Sequence, residues 1–229
     1  MSRLLALTGA RGSGKDTAYS FIHSWGMERG VSVGRRGFAD PVKWSFARLF
    51  LPDCTLEEAV QWCDEIKTEQ SKSLLTMSWQ RGVLGQDTVT TIEHAINGRQ
   101  ALQRQGTESH RDVFHYDFWV EALLPEDVDL QSGDHVWPSR FRMTLTEEPP
   151  EICVITDCRF ANEAERIRWL GGKIYRIVRY PAQDLGDQHS SEKPLDPELF
   201  IDRDIENVTG DKNAMKKEIY SIMDRMVKT

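Results

Sequence analysis

Apolar and polar positions fall into blocks along this chain, and the first block is the clearest. The run Leu4-Leu5-Ala6-Leu7 passes directly into GARGSGKDT and then AYSFIHSW. An unbroken apolar run ahead of a turn predicts a strand covered on both faces, here residues 3–8. Ala18, Phe21, Ile22 and Trp25 recur at helical spacing, which predicts a helix over 15–29 stopped by Gly30. A short strand, VSVGRRGF, comes next. Asp40-Pro41 ends it and opens a helix through Val42 to Leu51.

From Asp53 to about Gly98 the chain turns polar and rich in Glu, Gln, Lys and Thr. Helices are predicted over TLEEAVQWCDEIK and TVTTIEHAI, with SWQRG in the connection. Residues 99–124 read as two helices joined around Gly106-Thr107, with Ala101, Leu102, Phe118, Leu123 and Leu124 supplying core faces. The polar, proline-bearing stretch from Pro125 to Glu151 reads as an excursion or hairpin, with FRMTL as an edge strand. The pattern then sharpens again: strand ICVIT ending at Asp157, helix NEAERIRWL stopped by Gly171-Gly172, and strand KIYRIV. A loop from Pro181 to Pro197, a short apolar segment at Phe200-Ile201 and an amphipathic helix near 213–227 close the chain.

Strands alternating with helices imply an α/β fold with a parallel sheet flanked by helices, and ligands at the carboxyl ends of the strands. The rule gathers the glycine loop, Asp40 and Asp157 at one edge. A length of 229 residues suits one such core carrying a smaller lobe. The core is expected over 1–52, 99–124 and 151–229, the helical insertion over about 53–98, and the excursion over about 125–150.

Composition narrows the partners. With 28% charged and 39% hydrophobic residues the chain reads as globular, and its net charge of −7 disfavours a nucleic-acid binder. Cys54, Cys63, Cys153 and Cys158 lack C-x-x-C spacing and a neighbouring His pair, so they read as reduced, buried thiols. No stretch approaches the roughly 18 apolar residues of a membrane span, and the expected location is cytoplasmic. A homodimer is one of the assemblies open to such a chain.

The chemistry begins in the glycine loop. Gly9, four residues, Gly14 and Lys15 have the spacing of a P-loop, in which backbone N–H groups at a helix N-terminus surround phosphates and the lysine adds a mobile charge. Asp16 stands where a Ser or Thr hydroxyl usually reaches Mg²⁺, and Thr17 follows one place late. Either Asp16 holds Mg²⁺ through a water molecule or it is an N-terminal charge favoured by the helix dipole. Asp157 ends a buried strand in the manner of a Walker B carboxylate, or it caps a turn; Arg159, two residues on, is placed to bind a phosphoryl group. Arg99 and Gln103 share a helix face, followed by Gly106, Thr107 and Arg111, as a solvated face also would.

Several segments together, GARGSGKDT, FADPVK, RQALQRQGTE with a downstream FWV, VITDCRFANEAE, and HSSE after IVRYP, resemble the deoxynucleoside monophosphate kinases of large bacteriophages. The resemblance implies a nucleoside-monophosphate-kinase-like P-loop fold with a helical substrate-binding insertion, ATP as donor, a deoxynucleoside monophosphate as acceptor and Mg²⁺ as cofactor. It implies Gly12, Gly14, Lys15, Asp16 and Thr17 at the ATP phosphates, and Asp16 with Asp157 at the metal. Arg11 would face both substrates. Lys43, Arg99, Gly106, Thr107, Trp119, Asp157, Arg159 and Glu163 would serve the acceptor, and Lys15, Arg11, Asp157 and Arg159 the transfer itself. His189 and Glu192 match a loop without an assigned role. The resemblance does not choose among Lys67, Lys72 and Arg81 as a further phosphate ligand, and either 53–98 or 181–193 is expected to close over the substrates. Two other functions fit the same P-loop: a kinase of another small phosphorylated acceptor, as in phosphomevalonate kinases, and a nucleotide-holding regulatory protein.

Overall fold

The structure is a computed structural model that describes residues 3–68, 73–83, 86–96, 98–124, 150–180, 195–208 and 211–228. In chain order its elements are β1 (Arg3–Thr8), α1 (Lys15–Arg29), β2 (Val33–Arg36), α2 (Ala39–Ala47), α3 (Leu56–Thr68), β3 (Ser73–Val83), β4 (Gln86–Ile96) and α4 (Gly98–Gly106). A π-helical turn (Thr107–Arg111) follows, then α5 (Phe118–Leu123), β5 (Ile152–Ile155), α6 (Ala161–Trp169), β6 (Lys173–Tyr180), α7 (Pro197–Phe200), β7 (Arg203–Val208) and α8 (Lys212–Lys228). The chain forms two compact units, Met1–Phe38 with Leu123–Thr229, and Ala39–Ala122.

The first unit is a five-stranded sheet in the order β2-β5-β1-β6-β7, with every neighbouring pair parallel. Interior strands β1 and β5 are the apolar runs of the sequence, and all four residues of β5 are buried. Leu5, Leu7, Val154, Ile177 and Ile205 of the sheet share a core with Ala18, Ile22 and Trp25 of α1 and with Met215, Ile219, Ile222 and Met223 of α8. The indole N–H of Trp25 donates to Asp224 of α8 (2.9 Å), so the one polar atom on a fully buried ring is satisfied. α1 stops where Gly30 takes a left-handed φ of 67° and its N–H returns to Gly26. Strand β7 lay hidden in the sequence because it is an edge strand on which only Ile205 is buried.

The second unit has its own core, in which Phe46 and Ala47 of α2 meet Ala59, Cys63 and Ile66 of α3 and Ala101 and Leu102 of α4. Its second predicted helix is a strand. Residues 86–96 pair antiparallel with 73–83, from Ser73 opposite Ile96 to Val83 opposite Gln86. The run Thr88-Val89-Thr90-Thr91-Ile92 is β-branched throughout, and such side chains lose rotamer freedom in a helix but fit a pleated surface. The lobe is therefore part helix and part hairpin. The FRMTL strand and the whole of 125–149 lie outside the described residues, as do 181–194 with His189 and Glu192, and Lys72.

Candidate functional site

Between β1 and α1 the glycine loop turns sharply at Gly9 (φ 137°), Gly12 (φ 72°) and Gly14 (φ 107°), backbone states that side chains with a Cβ adopt only under strain. Gly9 is also fixed by space, since a Cβ there would stand 2.5 Å from the Ile177 carbonyl oxygen. The Ser13 N–H closes a turn on the Ala10 carbonyl (3.1 Å), and α1 starts at Lys15 directly behind Gly14. Lys15 folds back over the loop, its Nζ donating to the carbonyls of Gly9 (2.7 Å) and Ala10 (2.9 Å). A flexible ammonium resting on loop carbonyls at a helix N-terminus is suited to meet an anion there. Arg11 and Gly12 are exposed at the tip, and Thr17 is half-buried in the first turn of α1.

The neighbouring strand ends bring charge to the same edge. Arg35, at the end of β2, donates from Nε to the Thr156 hydroxyl (3.0 Å), and its Nη2 lies 3.5 Å from the Asp16 carboxylate. The Asp16 side chain is 87% exposed, which leaves its oxygens accessible while Arg35 holds them near the end of β5. Asp157 accepts the Phe38 N–H (2.7 Å), and a Cβ on Gly37 would stand 3.0 Å from its other oxygen. The carboxylate thus fastens the chain leaving β2, and Gly37 is the residue that lets it approach.

Glu163 is 1% exposed, and its Oε2 accepts the N–H groups of Arg159 (2.8 Å) and Phe160 (3.1 Å) at the start of α6. It takes the reach-back position of a capping box. Glu163 therefore shapes the turn that carries Arg159, with its own carboxylate turned inward. Cys158, between the two functional candidates, is buried. Desolvation, reinforced by the Glu163 and Asp157 charges, raises its thiol well above the ordinary value, so it stays neutral.

In the second unit the resemblance implied ligand-facing roles for Lys43 and Trp119, and both are turned inward. Lys43 is 6% exposed, with Nζ 2.9 Å from Asp64 Oδ1 and 3.1 Å from Oδ2. Lys67 reaches the same Oδ1 at 2.9 Å. Burial raises the Asp64 carboxyl, but the two lysines and their hydrogen bonds outweigh that and hold it below the usual carboxylate value. A buried ammonium needs such a partner, and the triad joins α2 to α3. Trp119 is 2% exposed, and its Nε1 donates to the Gly106 carbonyl (2.7 Å). It braces the α4 corner from behind and offers no face at the surface. Gly106 packs beside Val42, while Thr107, Gln103 and Arg99 are half-buried on or beside α4.

Sequence reasoning passed over Arg35, Gly37, Thr156, Arg179 and Asn207. Arg35 and Gly37 sit in VGRRGF, where the strand end itself was the only signal; Asn207 belongs to the unrecognised edge strand. Among the described residues no cluster of three or more His, Cys, Asp or Glu could cage a metal, and no helix is long and apolar enough to cross a membrane.

No protein-family model matches the chain. A protein of Acanthamoeba polyphaga mimivirus named "Putative deoxynucleotide monophosphate kinase" is 28% identical over 192 residues, covering 84% of this chain and 81% of the viral one. The deoxynucleoside-5'-monophosphate kinase of Escherichia phage T5 is 24% identical over an alignment of 247 positions, covering 98% of this chain and 97% of its own. The glycine loop is set on a five-stranded parallel sheet, and over most of its length the chain is similar to these two viral proteins named as deoxynucleotide or deoxynucleoside monophosphate kinases.

Proposed function

We propose that this protein transfers the γ-phosphoryl group of ATP to a deoxynucleoside monophosphate, giving the diphosphate and ADP. The observation that carries the proposal is the phosphate loop: three glycines at positive φ and a backfolded Lys15 at the head of α1, in a chain similar over its length to two viral kinases. Gly12, Gly14, Lys15 and Thr17 serve the ATP phosphates. Arg159, carried by the turn that Glu163 caps, and Arg11 at the exposed loop tip supply charge to the phosphoryl group in transfer. In the second unit Arg99, Gly106 and Thr107 serve the acceptor, with Trp119 bracing Gly106 and Lys43 bracing α2 against α3.

Phosphoryl transfer asks the protein for alignment and charge neutralisation more than for covalent chemistry. A monophosphate acceptor already carries an anionic oxygen nucleophile, so a general base is dispensable. Mg²⁺ bound to nucleotide phosphates takes only one or two protein carboxylates and keeps waters. The exposed oxygens of Asp16 in the first turn of α1 suit that role. Asp157 suits it less directly, because one oxygen already accepts the Phe38 N–H. When bound, the ion would neutralise charge on the phosphates. The cation beside Asp16 is Arg35, 3.5 Å away, which would release the carboxylate to the ion.

A coupled ADP-release assay with dGMP, dTMP, dCMP, modified dCMP, the ribonucleotides and phosphomevalonate tests the proposal. ADP release dependent on at least one deoxynucleoside monophosphate is the expected result. Release with phosphomevalonate alone, or ATP binding without acceptor-dependent release, overturns it.

A further inference from the structure

Two side chains, one from β6 beside β1 and one from edge strand β7, hold carbonyls of the glycine loop, and neither belongs to the loop motif. Arg179, near the end of β6, donates from Nη1 to the Gly12 carbonyl (3.0 Å). Asn207, near the end of β7, donates from Nδ2 to the Ser13 carbonyl (2.6 Å). These are consecutive carbonyls, and each belongs to a planar peptide whose N–H points the opposite way. Holding the Ser13 carbonyl toward Asn207 therefore sends the Gly14 N–H away from β7. Holding the Gly12 carbonyl toward Arg179 likewise orients the Ser13 N–H, which closes the turn on Ala10.

The grip on Ser13 adds a second reason for glycine at position 14 to that of its φ of 107°. A Cβ at Gly14 would lie 2.3 Å from Asn207 Nδ2, so the amide occupies the space a side chain would need. Glycine at that position and asparagine on β7 are two halves of one contact. Ser13 is itself 3% exposed, and its hydroxyl has no hydrogen-bond partner among the described residues. What fixes the residue is its backbone, through Ala10 on one side and Asn207 on the other.

We propose that Asn207, aided by Arg179, is a positioning residue for the phosphoryl donor: its amide sets the orientation of the Ser13–Gly14 peptide and so pre-forms the loop that receives the ATP phosphates. Pre-forming matters because every backbone group already aimed at an anion is one that binding need not order. The role in turnover rests on the kinase function proposed above; the effect on ATP binding does not.

The test compares full-length wild type, Asn207→Ala, Asn207→Asp and Arg179→Ala. For each, ATP affinity is measured by equilibrium binding, KM is determined separately for ATP and for the acceptor, and the melting temperature is recorded. Loss of one hydrogen bond at the loop predicts ATP binding about tenfold weaker in Asn207→Ala, with ATP KM rising in proportion and acceptor KM within about twofold of wild type. Asn207→Asp keeps the shape but sets a carboxylate against the Ser13 carbonyl, so it should bind ATP more weakly still. Arg179→Ala, on an exposed contact, should weaken binding by about threefold and serves if the Asn207 variants do not fold. Unchanged ATP affinity across all the folded variants would overturn the proposal, as would ATP and acceptor KM rising together. If wild type phosphorylates no deoxynucleoside monophosphate while Asn207→Ala still binds ATP less well, the kinase function falls and the grip on the loop stands.

Discussion

The two units of this molecule present their candidate chemistry in opposite ways. In the unit built on the parallel sheet, backbone does the presenting: glycines at positive φ make the phosphate loop, and side chains such as Asn207, Arg179, Asp157 and Glu163 act on backbone groups to hold loops in shape. In the unit spanning Ala39–Ala122, two of the residues expected to meet a ligand are buried against protein partners, Lys43 against Asp64 and Trp119 behind Gly106. Anion recognition by backbone demands a particular conformation, and that conformation demands glycine at fixed positions. A lysine or a tryptophan serves a core and a ligand equally well, so its identity alone does not tell which.

The sharpest way to break the comparison is Lys15→Ala. Removing the loop's ammonium should lower kcat/KM by at least about a hundredfold, the scale seen when one preorganised electrostatic contact to a transition state is lost. Arg99→Ala, on α4, should instead raise the acceptor KM by about tenfold while leaving ATP KM unchanged. Near-normal kinetics in both variants would remove the assignment of donor and acceptor roles.

Trp119 gives a contrast in stability. Truncating a buried tryptophan should destabilise the protein by about 3–5 kcal/mol, and Trp119→Phe, which keeps most of the ring but loses the N–H on Gly106, by about 1–2 kcal/mol. Denaturant unfolding measures both. A Trp119→Ala protein with unchanged stability and a raised acceptor KM would show that the ring meets the nucleotide after all.

The smallest effect concerns Asp64. Its carboxyl lies below the usual value because Lys67 and Lys43 outweigh the burial that raises it, so the folded state binds its proton less readily than the unfolded chain does. Its stabilising contribution is full above the ordinary carboxylate range and is lost as pH falls through the depressed folded value. The melting-temperature gap between wild type and Asp64→Asn should therefore shrink on acidification. With the Asp64 side chain 47% exposed, the part of the gap that varies with pH should stay within about 1 kcal/mol. A gap that widens in acid would reverse the sign of the account.

How much of this was legible in the sequence follows from the same contrast. β1 and β5 were readable because burial on both faces writes an unbroken apolar run, α1 because its apolar residues recur at helical spacing, and the glycine loop because its glycines have no substitutes at positive φ. The hairpin from 73 to 96 was misread in part because its polar residues gave no clear period, although the β-branched run Thr88 to Ile92 carried the signal. Edge strand β7 buries only Ile205, and with the strand unrecognised Asn207 could not be placed beside Ser13, 194 positions away in the chain. Arg35 was visible as a charge at a strand end, but its bridge from Asp16 to Thr156 exists only once β2 and β5 lie side by side.

The central claim is that the loop between β1 and α1 delivers a phosphoryl group to a deoxynucleoside monophosphate. Its most direct measurement follows label from [γ-³²P]ATP in the presence of each deoxynucleoside monophosphate, with the products separated and identified. The account predicts label in a deoxynucleoside diphosphate for at least one acceptor, lost in Lys15→Ala. Label appearing only as inorganic phosphate, or remaining in ATP with every deoxynucleoside monophosphate, would contradict it.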